Sequence, residues 1–206
     1  SYINGLKAMG ERGVVEANLL LALLFYQGQV VDQNISLAMQ FYRQAAVQGS
    51  QAAQYRYARL IQSTQKDNSE AAKWFLIAAN GGHAEAQWAI SQVYHTGEGV
   101  ARDEVAAFNW GLAAAKQGVI PARLAVAFYY RDGVGVKVDI AESYKWFLQY
   151  FEQTEDASAI YHAAKLNIDH QRLSEMTATI GLLEKAAGMG YAPAKFQLGL
   201  VYRDAI

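Results

Sequence analysis

Four histidines, His83, His95, His162 and His170, are the residues best suited to hold a metal or move a proton near neutral pH. None stands in a His-x-x-x-His or His-Glu-x-x-His arrangement, the spacings that put two ligands on one helical face. Glu152, Glu155, Asp156 and Asp169 gather loosely along the chain. Acid–base work by carboxylates needs two of them held at a defined separation across a cleft, and nothing in their spacing fixes such a pair. Ser158 lies outside any Gly-x-Ser-x-Gly element, so it lacks the strained turn that presents a nucleophilic serine. Gly97-Glu98-Gly99 and Gly133-Val134-Gly135 suggest phosphate cradles. However, no strand-like run precedes them, no third glycine follows at the dinucleotide spacing, and no Gly-Lys-Ser/Thr occurs. The sequence therefore assigns no catalytic residue, no metal ligand and no cofactor. Asn34-Ile35-Ser36 matches a glycosylation acceptor, but Asn and Ser are also ordinary helix starters, and a helix cap is the reading adopted.

The chain of 206 residues has a formal net charge of −1 and is 52% hydrophobic, enough to build a core. Near-neutral balance provides no broad field for phosphate backbones, so no nucleic-acid partner is expected. Cysteine is absent, which removes disulfides and thiolate chemistry. The longest apolar stretch, Leu19 to Tyr26, is too short to span a membrane. Only two prolines interrupt the chain against 17 glycines, which predicts long helices with regular stops.

Those stops are periodic. Gly13, Gly49, Gly82, Gly118 and Gly190 stand at intervals of 36, 33, 36 and 72 residues, and the absent marker would fall at Thr154. Aligned on these markers, two columns hold small residues in every copy. Four residues on are Ala17, Ala53, Ala86, Ala122, Ser158 and Ala194; nine residues on are Ala22, Ala58, Ser91, Ala127, Ala163 and Gly199. Offsets eight (Leu21, Tyr57, Ile90, Val126, His162, Leu198) and twelve (Phe25, Ile61, Tyr94, Tyr130, Leu166, Tyr202) complete one face of a helix, helix A. His162 thus falls in a core column, as a packed or hydrogen-bonded histidine.

Before each marker lies a second helix, helix B. Its small pairs are Ala45-Ala46, Ala78-Ala79, Ala114-Ala115 and Ala186-Ala187, replaced in the fourth copy by Tyr150-Phe151. One turn earlier stand Phe41, Trp74, Trp110, Trp146 and Leu182 on the same face. The marker glycine is expected to close helix B in the left-handed conformation. Between the helices come Gly97-Glu98-Gly99-Val100 and Gly133-Val134-Gly135-Val136, followed by Asp103 and Asp139 as expected caps of helix B. The second copy has the shorter polar run Ser63 to Asn68, and the fifth has Asn167-Ile168-Asp169-His170 with no glycine. Irregular geometry is expected near residues 150–175. One helix pair cannot bury its apolar face alone, and stacking on its neighbours does so.

Ala84-Glu85-Ala86-Gln87, Tyr94, Gly97-Glu98-Gly99-Val100, Asp103, Trp110, Ala114-Ala115 and Gly118 together resemble a Sel-1-like repeat, a relative of the tetratricopeptide repeats. The resemblance extends over essentially the whole chain, best in copies three and four. It implies an all-α fold, a right-handed α/α superhelix (solenoid) of stacked antiparallel helix pairs with about 36 residues per repeat. The repeats would be 14–49, 50–82, 83–118, 119–154 and 155–190 within a single domain 1–206, with 1–13 the end of a truncated repeat and 191–206 a partial one. Both ends lack polar caps, so a piece of a longer array is expected. A targeting segment, if one exists, would lie outside it, and the compartment stays open between bacterial envelope and cytoplasm.

The resemblance also implies a non-enzymatic scaffold for another protein or peptide, with helix A lining a concave groove. That places offsets six, ten and thirteen toward the groove, and the candidate partner-binding residues are Tyr55, Arg59, Trp88, Gln92, His95, Leu124, Phe128 and Arg131. Aromatics mixed with Arg are what binding hot spots contain. Offset six serves equally well to pack neighbouring repeats. A structural spacer in an envelope or secretion complex, an enzyme acting on cell-wall material, and end-to-end self-association stay open as alternatives.

Overall fold

The computed structural model describes residues 2–204, so Ser1, Ala205 and Ile206 of the expected domain lie outside the described residues. Its helices are α1 (Tyr2–Glu11), α2 (Val15–Gln27), α3 (Ile35–Val47), α4 (Gln51–Leu60), α5 (Asn68–Asn80), α6 (Ala84–Thr96), α7 (Glu104–Lys116), α8 (Ile120–Asp132), α9 (Ile140–Thr154), α10 (Ala157–Asp169), α11 (Met176–Gly188) and α12 (Ala192–Asp204). No strand occurs among the described residues. The even-numbered helices are the expected helix A and the odd-numbered ones helix B, so the fold is an all-α solenoid of consecutive helix pairs. The chain divides into two compact units, Ser1–Trp110 and Gly111–Ile206, the division falling inside α7. In the first unit each helix from α1 to α6 packs on the next; in the second the same holds from α8 to α12.

The small columns form the seams. Ala53, Ala58, Ala86 and Ser91 in the first unit, and Ala122, Ala127, Ala163 and Ala194 in the second, are completely buried. The facing helix B positions, Ala38, Ala71, Ala107, Ser143 and Thr179, are buried as well. Methyl-sized side chains let the backbones approach, and large rings then fill the space beside the seam. Phe25 stacks on Phe41 at 5.9 Å, and Tyr57 meets Trp74 edge-on at 5.4 Å. Where a seam carries a hydroxyl, it is satisfied across the pair. Ser91 Oγ donates to the Ala107 carbonyl at 2.7 Å, and Ser143 Oγ donates to the Ala127 carbonyl at 2.7 Å.

The helix ends follow one recipe. All five marker glycines have φ between 88° and 98°. The residue after each marker donates its N–H five residues back, as Ser50 does to Ala45, His83 to Ala78, Val119 to Ala114 and Tyr191 to Ala186. The spacing arguments did not anticipate a polar column at offset five that crosses the turn. Asn18 donates to the Gly10 carbonyl (3.4 Å), Gln54 to Ala46 (3.1 Å), Gln87 to Ala79 (3.3 Å) and Arg123 to Ala115 (3.3 Å). Each of those carbonyls also accepts the marker glycine's N–H. Both lone pairs of an otherwise orphaned helix-end oxygen are thereby used, and helix B is tied to the next helix A. Helix B starts are capped as expected by Asp103 and Asp139, and by Asn34 and Asp67, each side chain accepting an N–H three residues on.

Where a repeat has lost its glycine, another residue takes the left-handed conformation. Among the described residues, the non-glycine residues with positive φ are Lys66 (55°), Glu155 (53°) and Gln171 (51°). Lys66 closes the shortened second loop, where α4 runs into a π turn, Ile61–Gln65, and Thr64 Oγ1 donates back to the Leu60 carbonyl. Glu155 follows the missing marker, and α9 runs to 15 residues before it. Gln171 precedes a 3-10 turn, Leu173–Glu175, at the glycine-free fifth loop. The expected irregularity around 150–175 therefore takes the form of two left-handed residues and one tight turn.

Gly99 is held by a close approach. A Cβ there would stand 2.3 Å from the Asn68 carbonyl carbon and 2.6 Å from the Ser69 nitrogen, backbone atoms at the start of α5. With φ of 83° as well, Gly99→Ala lowers stability by roughly 2 kcal/mol or more in urea unfolding. Glu155→Gly relieves a left-handed Cβ and raises stability by about 0.5–1 kcal/mol in the same assay.

Candidate partner-binding surface

Spacings of four and three residues put each candidate set on one helical face: Tyr55 and Arg59 on α4; Trp88, Gln92 and His95 on α6; Leu124, Phe128 and Arg131 on α8. The first two sets lie in the first unit and the third in the second, and the two units treat them differently.

In the first unit, Arg59 and Gln92 are exposed and together line a depression of about 220 Å³ with Gln62, Phe75, Thr96 and Glu98. Tyr55 and Arg59 also line a second hollow of about 320 Å³, shared with Tyr26, Tyr42 and Arg56. Arg59 thus belongs to both. Tyr55 is half-buried; its ring stacks on His83 at 4.9 Å and tilts against the buried Phe75 at 5.9 Å. It is wall and packing at once. Trp88 and His95 are half-buried on α6. Sequence reasoning missed Tyr42 and Arg56. Tyr42 hides next to the Phe41 core ring, and Arg56 falls one position outside the chosen offsets.

In the second unit the stripe is largely occupied by its own neighbours. Arg131 forms a two-pronged ion pair with Asp132 (2.7 and 2.8 Å) and lies 4.6 Å over the Phe128 ring. Phe128 meets Phe147 edge-on at 5.1 Å and His162 at 5.5 Å. Leu124 is half-buried. On α10 the same three offsets, Ile160, Ala164 and Asn167, are all buried, and Asn167 donates to Thr179 Oγ1 at 3.0 Å. The face that is open on α4 has become core on α10. No group of three or more His, Asp or Glu residues that could hold a metal occurs among the described residues, and no described helix is long and apolar enough to cross a membrane.

Two histidines beside these faces are held neutral. Burial pushes His162 down, with the Arg131 charge adding to it and Asp156 opposing; its ring stacks on Phe147 at 5.4 Å. Burial also lowers His83, against the nearby Glu85 carboxylate at 3.4 Å. Burial wins, and the neutral Nδ1 accepts the Ala86 N–H at 3.3 Å, starting α6. A histidine lowered in the fold contributes stability that is complete above its unfolded value of about 6.5 and is lost as pH falls through the lower folded value. The melting temperature is therefore expected to fall between pH 7.5 and 5.5. His83→Asn keeps an N-cap acceptor, and this variant shows a shallower fall when melting is followed by circular dichroism.

The Sel1 repeat model matches residues 15–50, 51–83, 84–119 and 120–153. No curated protein matches the chain. Among solved structures, a protective antigen present in uropathogenic Escherichia coli strains, displaying an SLR fold, superimposes with a TM-score of 0.81 at 25% identity. The alignment covers 99% of this chain but 44% of that one, so the chain spans less than half of that relative's length. A Sel1 repeat protein from Oxalobacter formigenes aligns with a TM-score of 0.74 at 24% identity over 91% of this chain and 81% of that one, a likeness of fold. With four repeats matched in sequence, helix pairs stacked as the repeat requires and the marker glycines left-handed, the chain belongs to the Sel1 repeat family.

Proposed function

We propose that this chain is a non-catalytic scaffold that holds a protein or peptide partner in a groove lined by the helix-A stripe, with the first-unit stretch Tyr55, Arg59 and Gln92 as the principal contact. Sel1 repeat proteins are in general protein–protein interaction scaffolds without catalysis of their own. The observation that carries the reading here is that Arg59 and Gln92 stand exposed, on consecutive helix A elements, around one shared depression. Arg59 has no acidic partner among the described residues, whereas Arg131 is already neutralised by Asp132. An uncommitted guanidinium beside half-buried tyrosine is the composition of an interface anchor. Phe128 and Arg131 are committed to packing within the second unit and contribute less to a partner. We also propose that 155–190, α10 with α11, is a fifth copy of the same design, since its seam residues Ala163, Thr179 and Ala186 are completely buried.

The test places a photoreactive residue at Gln92, or at Gln44 on the exposed side of α3, in the full-length protein in extracts of its own cells. Adducts of a defined partner form from position 92, and Arg59→Ala abolishes them at unchanged melting temperature. Phe128→Ala instead lowers stability by roughly 1–3 kcal/mol with capture retained. Adducts from position 44 alone would overturn the groove reading in favour of a spacer that works through helix B.

A further inference from the structure

One nitrogen of His83 stands between two partners. Its Nδ1 lies 3.3 Å from the Ala86 backbone nitrogen and 3.4 Å from a Glu85 carboxylate oxygen. In the neutral imidazole this nitrogen carries a lone pair and accepts the Ala86 N–H, which starts α6. In the imidazolium it carries a proton, which opposes an N–H and donates to a carboxylate. The two bonds therefore exclude each other. The same ring supports the candidate surface. It stacks on Tyr55 at 4.9 Å with 23° between the planes, and Tyr55 lines the hollow of about 320 Å³. A turn of the imidazole from Ala86 toward Glu85 carries it off the Tyr55 face. The stack of helices does not require a histidine at this place. Ser50 starts α4 with a hydroxyl acceptor, and Val14 and Val119 start α2 and α8 with no side-chain bond at all.

We propose that His83 is a pH-sensitive latch on the groove: neutral, it caps α6 and holds the Tyr55 ring in place; protonated, it leaves Ala86 for Glu85 and releases that ring. Tyr55 then keeps its tilted contact with the buried Phe75 and loses the stack on its other neighbour. Burial opposes charge on His83 most strongly, Glu85 on its own helix favours it, and Arg56 on α4 opposes it. The capped form therefore holds at neutral pH, and release comes on acidification, below the ordinary histidine value of about 6.5. The His83 side chain is 18% exposed and that of Glu85 62%, so the ring is open to protons and the carboxylate is free to follow it. This deepens the scaffold reading by adding a regulation, since the surface offered around Tyr55 differs between the two states.

The test replaces Tyr55, or in a second sample Tyr57, with 3-fluorotyrosine in the full chain. The 19F signals are followed together with the His83 15N signals from about pH 7.5 to about 4.5. Tyr57 lies on the same helix, packs on Trp74 and reports on the fold. The position 55 signal is expected to move with the midpoint of His83 protonation and the Ala86 amide to lose exchange protection, while position 57 stays still. His83→Asn keeps a cap acceptor and abolishes the titration at position 55. Glu85→Gln lowers the midpoint, because the protonated ring loses its charged partner. A position 55 signal that stays flat while His83 titrates, an unchanged midpoint in Glu85→Gln, or one transition shared by positions 55 and 57 would overturn the proposal. No partner is needed for this readout. Adducts at position 92 can fail while the latch stands, and the latch can fail while adducts still form.

Discussion

Two helices can lie backbone to backbone only where neither carries more than a methyl or a hydroxyl between them. Every larger feature of this chain depends on that seam. Ala22 and Ala38, Ala58 and Ala71, Ser91 and Ala107, Ala127 and Ser143, and Ala163 and Thr179 are buried at equivalent positions in successive pairs. Because the seam is thin, the rings beside it have one place to go, and Phe41, Trp74, Trp110 and Trp146 recur one turn before the next seam rather than inside it. A stack built this way is a series of nearest-neighbour interfaces, so its stability is approximately the sum of many similar terms. Such a series tolerates irregular copies, which explains how a π turn at Ile61–Gln65 and a glycine-free loop at 170–175 persist in an otherwise regular array.

The seam lies within a pair, and the turn after helix B joins one pair to the next. There a left-handed glycine redirects the chain, and a side chain from the following helix bonds back to the same carbonyl that the glycine's N–H has already claimed. The arrangement accepts Asn, Gln or Arg as donor, because only reach and an N–H are required. In the fourth-to-fifth turn the donor is absent, with Ala159 in its place, and so is the glycine, with Glu155 left-handed instead. The fifth-to-sixth turn keeps its glycine, Gly190, with Lys195 at offset five.

Much of this was legible in the sequence because it is periodic. Small residues at offsets four and nine, glycine at the markers and Asp before helix B each repeat, and repetition is what separates signal from composition. The donor column at offset five repeats too, but its acceptor is a backbone carbonyl, which has no letter in the sequence. The candidate surface was legible only as a set of positions. Tyr55 and Phe128 sit at alternating groove offsets and read alike as aromatic anchors. One borders a hollow beside an unpaired arginine; the other is clasped by Arg131, Phe147 and His162. That difference is made by side chains on other helices, Tyr42 and Arg56 in one case and Asp132 and Phe147 in the other, and no spacing rule within one helix reveals it.

The seam hydroxyl changes sides between the third and fourth pairs. Helix A supplies it at Ser91 and helix B at Ser143, each reaching the carbonyl of the alanine opposite. Each pair therefore has one donor and one oxygen to receive it. A recombination that joined the third helix A to the fourth helix B would bring two hydroxyls into one dry seam, whereas the reciprocal product would carry none, as the Ala22–Ala38 and Ala58–Ala71 seams do. The unit of inheritance that duplication can copy freely is then the matched pair, not the single helix, and lineages of such arrays should lengthen and shorten by whole hairpins.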